Sequence, residues 1–165
     1  MSIVDAFLYA GERECLEIRV REYDGLVDRH LVMEGTTTFQ GPERAVTPLD
    51  ELRQISPKID QAIFTHWAAT SPWEREQDQR NAIRDCVTPG DWCLISDADE
   101  IVRREALEAA LNGPPARCVA FDLEQFYYRL NLKDEAETVL TARLIRSEYI
   151  TRVQHLRRLK PQLHE

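Results

Sequence analysis

Long apolar runs are missing from this sequence. Nothing in its 165 residues approaches the roughly 18–20 residues of a membrane-spanning helix, so no span is expected. The opening Met-Ser-Ile-Val-Asp has neither the basic nor the apolar region of a signal peptide, and the expected location is cytoplasmic. Metal-type cysteine spacing is missing too. Cys15, Cys86, Cys93 and Cys118 form no Cys-x-x-Cys pair, which argues against zinc and for buried free thiols. His30, His66, His155 and His164 form no ligand cluster in sequence. An excess of positive charge is absent: the net charge is −8, which argues against wholesale binding to nucleic acid or anionic membrane. Only the C-terminal end is basic, through Arg143, Arg146, Arg152, Arg157, Arg158 and Lys160. That end reads as a solvated helix face, with phosphate contact the second reading. Internal repeats and low-complexity segments are also lacking.

What remains is an ordinary globular composition, 43% hydrophobic and 30% charged, suited to one domain with a single core. Ile3–Tyr9 is apolar apart from Asp5 and reads as a central strand. Residues 12–23 follow as an amphipathic helix, with Leu16, Val20 and Tyr23 on one face and Glu17 and Arg21 spaced for an ion pair. Residues 27–34 read as a second strand with Leu31, Val32 and Met33 buried. Glu34 ends it, and by pattern alone is an exposed acid. A polar loop over 35–42, a short helix over 49–55, a strand over 62–65 and a loop over 66–70 come next. Ser71-Pro72-Trp73-Glu74 is a helix start with an N-cap, a first-turn proline and a capping-box glutamate. The helix is expected over 72–87, burying Trp73, Ile83 and Val87. A strand over 91–96, a helix over 104–111, a long strand over 117–130, a last strand over 138–145 and a helix or tail over 149–159 complete the chain. Such alternation implies an α/β fold with a mostly parallel sheet flanked by helices. Residues 1–165 are one domain, with 139–165 a short C-terminal extension or tail.

The chemistry concentrates after the 91–96 strand, where Asp97, Asp99 and Glu100 follow Trp92-Cys93-Leu94-Ile95. Ligands of open α/β sheets bind at this edge. Two aspartates one residue apart can turn oxygens toward one hard cation, held together with substrate phosphates. The same pattern also serves to satisfy loop amides and to start the next helix.

Four blocks together resemble glycosyltransferase family 17, which includes the bisecting N-acetylglucosaminyltransferases. They are Val4-Asp5-Ala6-Phe7; Glu12 to Arg19 with Val27-Asp28-Arg29; Trp73-Glu74-Arg75-Glu76 with Gln79-Arg80-Asn81; and Leu94-Ile95-Ser96-Asp97-Ala98-Asp99-Glu100-Ile101. The resemblance covers about Ile3 to Tyr128. It implies a GT-A, Rossmann-like nucleotide-sugar-binding domain that transfers a sugar to an acceptor hydroxyl with inversion. It further implies Mn²⁺ or Mg²⁺ on the donor diphosphate, with a UDP-sugar the first choice of donor. Asp97 and Asp99 become the metal pair, Asp99 the direct ligand and Asp97 alternatively facing the donor ribose or sugar. Tyr9 and Glu34 fall where this fold binds the nucleotide. Arg75 and Arg80 approach the phosphates or orient the acidic loop, surface salt bridges being the other reading. Asp122, Glu124 and Glu100 are the candidate general bases.

The Gly-, Trp- and His-rich block that completes the acceptor side in family members is not found after Tyr128. A catalytically inactive or partner-dependent binding module is therefore an alternative. So is a nucleotidyltransferase, although Ala10-Gly11-Glu12 lacks that class's basic Gly-rich stretch. The acceptor, whether glycan, lipid, protein or modified base, is not encoded in these motifs.

Overall fold

The computed structural model describes residues 2–65, 70–114, 116–126 and 133–158. Its elements are β1 (Ile3–Tyr9), α1 (Arg13–Glu22), β2 (Arg29–Gly35), α2 (Leu49–Arg53), β3 (Ile59–Phe64) and α3 (Pro72–Asn81), then β4 (Trp92–Asp97) and α4 (Arg104–Asn112), then β5 (Cys118–Ala120), β6 (Leu123–Phe126), β7 (Lys133–Val139), β8 (Arg143–Arg146) and α5 (Val153–Arg158). Six strands form one sheet in the order β3-β2-β1-β4-β8-β5, and β6 and β7 pair separately. β1 is parallel to both β2 and β4, and β2 to β3; β8 runs antiparallel between β4 and β5. The expected α/β architecture is present: a mostly parallel sheet flanked by helices, compatible with a Rossmann-like GT-A fold. Among the described residues no helix is long and apolar enough to cross a membrane.

β1, β2 and β4 read as continuous apolar runs because helices cover both faces of the sheet. Val4, Ala6 and Leu8 point to one face, where Ile83, Ile150, Val153 and Leu156 close the core. Phe7 and Tyr9 point to the other, against Leu16 of α1 and Leu52 of α2. Farther along that sheet, Leu94 and Leu144 pack with Tyr23, Leu107 and Phe121. From β1 the chain moves outward through β2 to β3, then returns to place β4 on the other side of β1. The strand order thus reverses between β1 and β4, and their C-terminal ends flank a crevice.

Several expectations shift. The 72–87 helix stops at Asn81 and tightens into a 3-10 turn over Ala82–Cys86. Trp73 is 63% exposed rather than buried, because the first turn of α3 stands clear of the sheet. The 117–130 strand divides into β5 and β6 around the buried Phe121, and only β5 joins the main sheet. Tyr127, Tyr128 and the 66–69 part of the expected loop lie outside the described residues. Cys93 is buried, but Cys15 and Cys86 are half-buried and Cys118 is exposed.

The start of α3 forms as its local sequence dictates. The Ser71 hydroxyl accepts from the Glu74 amide at 3.2 Å, and Glu74 accepts in return from the Ser71 amide at 2.9 Å. Hydrogen bonds from Thr70 and Ser71 hold the Glu74 carboxyl down at about 2. Ser71→Ala is expected to cost about 1 kcal/mol, read as a melting temperature lowered by about 2–4 °C.

Candidate active site

Below the crevice lies a buried ionic cluster. Asp5 of β1 stands opposite His30 of β2, and their side chains meet at 2.9 Å. Arg19 of α1 reaches the same carboxylate, with Nε 2.8 Å from Oδ2 and Nη2 2.6 Å from Oδ1. Arg19 and Asp5 are both fully buried. The guanidinium stacks 4.4 Å from the Phe7 ring centroid and donates to the Ser96 hydroxyl. Its Nη1 donates to the carbonyls of Asp97 at 2.9 Å and Glu100 at 3.2 Å. One buried arginine thus ties the first two strands to the backbone of the acidic loop. Burial alone would raise the Asp5 pKa, but the charges and hydrogen bonds of Arg19 and His30 outweigh it and hold it low.

The loop itself turns tightly. The Glu100 amide donates to the Asp97 carbonyl at 3.0 Å, and the Asp97 amide donates to the Glu100 carboxylate at 2.8 Å. Strand alternation sends Ser96 toward α1 and Asp97 toward α3 and α5. There Asp97 accepts from Arg80 Nη2 at 2.8 Å and from both terminal nitrogens of Arg157 at 2.5 and 2.9 Å. Glu100 accepts from Arg157 at 2.7 Å and from the Thr141 hydroxyl. Burial pushes the Asp97 pKa up, yet Arg157 and Arg80 prevail and hold it below the usual carboxylate range. Asp99 is exposed, and among the described residues no hydrogen bond or ion pair engages it.

Above this loop opens a cavity of about 510 Å³ at the ends of β1 and β4. Leu8, Tyr9 and Ala10 form its floor, Asp97, Ala98 and Asp99 one wall, and Glu76, Gln79 and Arg80 of α3 another. Gly11, at a φ of 104°, turns the chain so that Glu12 and Cys15 also line it. Burial, with Asp99 nearby, raises the Cys15 pKa. Thr37, Thr38 and Phe39 pass along the cavity as a strap that the sequence shows only as a polar loop. Arg75 braces the strap, donating to the Phe39 carbonyl at 2.7 Å. Among the described residues the buried Thr37 and Thr38 hydroxyls and Arg80 Nε have no hydrogen-bond partner, and all three residues line the cavity.

The structure therefore brings Tyr9, Arg80, Asp97 and Asp99 to one cavity. Glu34 is not an exposed acid: it is fully buried and held by Arg44 at 2.7 Å, the Thr47 amide at 3.1 Å and Gln61 at 3.0 Å. Arg75 supports the strap without lining the cavity, and Glu100 is turned toward Arg157. Asp122 is exposed and Glu124 lies 3.9 Å from Arg103; neither is a cavity residue. The carboxylates that do line it, besides the loop's own, are Glu12 and Glu76. Within the basic C-terminal end, Arg143 and Arg157 are buried rather than solvated and Arg146 stacks on Trp92 at 4.3 Å, whereas Arg152 is exposed and Lys160 lies outside the described residues. Arg19 and Arg157 are the residues that sequence reasoning missed. Arg19 had one signal: it lies between Leu16 and Tyr23 on the apolar stripe of α1.

Among the described residues, no three His, Cys, Asp or Glu side chains converge to hold a metal ion. With Asp97 occupied by two guanidinium groups, the Asp-x-Asp pair offers one free carboxylate, Asp99. Mg²⁺-type sites use one or two carboxylates completed by substrate phosphates and water, so Asp99 fits such an ion when a phosphorylated ligand shares it.

The crevice lies at the reversal point of a Rossmann-like sheet, walled by an acidic loop and a guanidinium group, the position at which open α/β sheets generally bind ligands. The model of glycosyltransferase family 17 matches residues 1–162. The chain belongs to that family and is a glycosyltransferase. The match runs past Tyr128, where the expected resemblance stopped, and takes in β8 and α5. No curated protein and no solved structure matches the chain.

Proposed function

We propose that the protein transfers a sugar from a nucleotide-diphosphate sugar, a UDP-sugar first among them, to an acceptor hydroxyl with inversion. The observation that carries this reading is the cavity at the ends of β1 and β4, which joins Asp99, Arg80 and the unpartnered Thr37 and Thr38 hydroxyls in one space. Those orphaned polar atoms suit a ligand rich in oxygen acceptors and hydroxyls. The floor at Tyr9 and the strap at Phe39 give apolar surface for a base or sugar ring.

Asp99, with the donor phosphates, would hold Mn²⁺ or Mg²⁺. Such an ion neutralises charge growing on the departing diphosphate oxygen. Arg80 adds positive charge to the same wall. The acceptor oxygen attacks the anomeric carbon as the bond to the diphosphate breaks, and the acceptor proton passes to a carboxylate base. Besides the two aspartates of the acidic loop, Glu12 and Glu76 are the carboxylates that line the cavity. Glu76 accepts from Arg80 at 2.7 Å and Glu12 from the Ala10 amide at 2.7 Å.

The test is nucleoside diphosphate release from a panel of nucleotide sugars in the presence of Mn²⁺. Release from donors of one base, saturable in that donor, is the expected result. Absence of both binding and release across the whole panel would overturn the reading.

A further inference from the structure

Arg157 sits 60 residues along the chain from the aspartate that it covers. Its side chain is 6% exposed. The planar fork bridges two carboxylates, Nη1 and Nη2 on Asp97 and Nη2 also on Glu100 at 2.7 and 2.8 Å. A guanidinium suits this bidentate arrangement where an ammonium would not. α5 is itself keyed to its place. Val153 and Leu156 are buried in the core, the Gln154 amide donates to Asn81 at 3.2 Å, and the Gln154 side chain accepts from Arg80. Arg84 also donates to the Thr151 carbonyl at 3.3 Å. Arg80 and Arg157, from helices on the same side of the sheet, therefore close on one carboxylate.

We infer that Arg157 is a positioning residue of the transferase site: α5 keeps the Asp97 carboxylate engaged, so that of the two aspartates lining the cavity only Asp99 has a carboxylate free for a cation. This rests on the reading of the acidic loop as the cation side of the donor site. The first aspartate of the pair is then a structural anchor with its charge already neutralised, and the C-terminal helix is part of the catalytic unit.

Mn²⁺ binding to the full chain without any nucleotide sugar tests the idea, by electron paramagnetic resonance or calorimetry. Arg157→Ala uncovers Asp97 and Glu100 beside Asp99, so Mn²⁺ should bind about tenfold tighter, or more, than to the unsubstituted protein. Adding Asp97→Asn to that variant should remove the gain. A purely structural role for Arg157 has the opposite sign, because a loosened loop binds the ion no better or worse. If Arg157→Ala does not fold, Arg157→Lys carries the test: one ammonium cannot span both carboxylates, and a smaller tightening is expected. Unchanged or weaker binding in the folded variants, or a gain that survives Asp97→Asn, would overturn the inference. With Mn²⁺ as the only probe, a failure to turn over any nucleotide sugar leaves this result readable on its own.

Discussion

Arg19→Met is expected to destabilise the fold by about 3–5 kcal/mol, the cost of stripping one partner from a buried ion pair. Arg19 and Asp5 have no exposed surface, and of the side chains that hydrogen-bond Asp5 among the described residues only His30 would remain to face its charge. Denaturant unfolding should show the loss as a lower midpoint at unchanged slope. Met fills much of the arginine's stem volume, so a cavity accounts for little of the effect. Replacing both charges, as Asp5→Leu with Arg19→Met, should recover most of the stability, since paired burial of charge is weakly favourable at best. It should not recover sugar transfer, because the carbonyls of Asp97 and Glu100 lose their shared donor. Stability and activity thus separate in the double variant.

The same pair predicts an acid response. The folded pKa of Asp5 lies below its ordinary value. Its contribution is therefore fully present above the unfolded carboxylate pKa of about 4, and it is lost as pH falls through the lower folded value. Between those two values the unsubstituted protein should lose stability on acidification more steeply than Asp5→Asn.

How much of this was legible beforehand follows from how local each feature is. β1, β2 and β4 announce themselves because strands covered on both faces need uninterrupted apolar side chains. The start of α3 is legible because Ser71, Pro72 and Glu74 satisfy one another within a single turn. The acidic loop is legible because β4 is a clear strand and its end is fixed by chain order. Arg19 is not, since an arginine on a helix normally snorkels to water; its burial depends on Asp5 and His30 arriving from two different strands. Arg157 is harder still, because its partners are set by how α5 packs on α3. The insertion of β8 between β4 and β5 is likewise a long-range pairing that no local pattern encodes. Asp122 and Glu124 share the alternation of a strand, but their segment divides at Phe121 and they line no part of the cavity.

The two aspartates of the acidic loop should part company under mutation. Asp99→Ala is expected to lower sugar transfer by about 10²–10³-fold, the usual loss when a group stabilising developing charge is removed, with stability changed by no more than about 0.5 kcal/mol. The reason is its setting: exposed, at the cavity wall, with no hydrogen bond or ion pair among the described residues to lose. Asp97→Asn strikes a different term. The amide would set an N–H₂ group against Arg157 or Arg80, donor facing donor, where the carboxylate accepted from both. About 1–3 kcal/mol of stability should go with it, and transfer should fall because the loop that carries Asp99 is no longer held. Thermal unfolding and steady-state kinetics on the same preparations check this: activity lost at constant melting temperature for Asp99→Ala, both lost together for Asp97→Asn. Equal melting losses in the two variants would mean that Asp99 also anchors the loop, and the division between a free carboxylate and a neutralised one would fail.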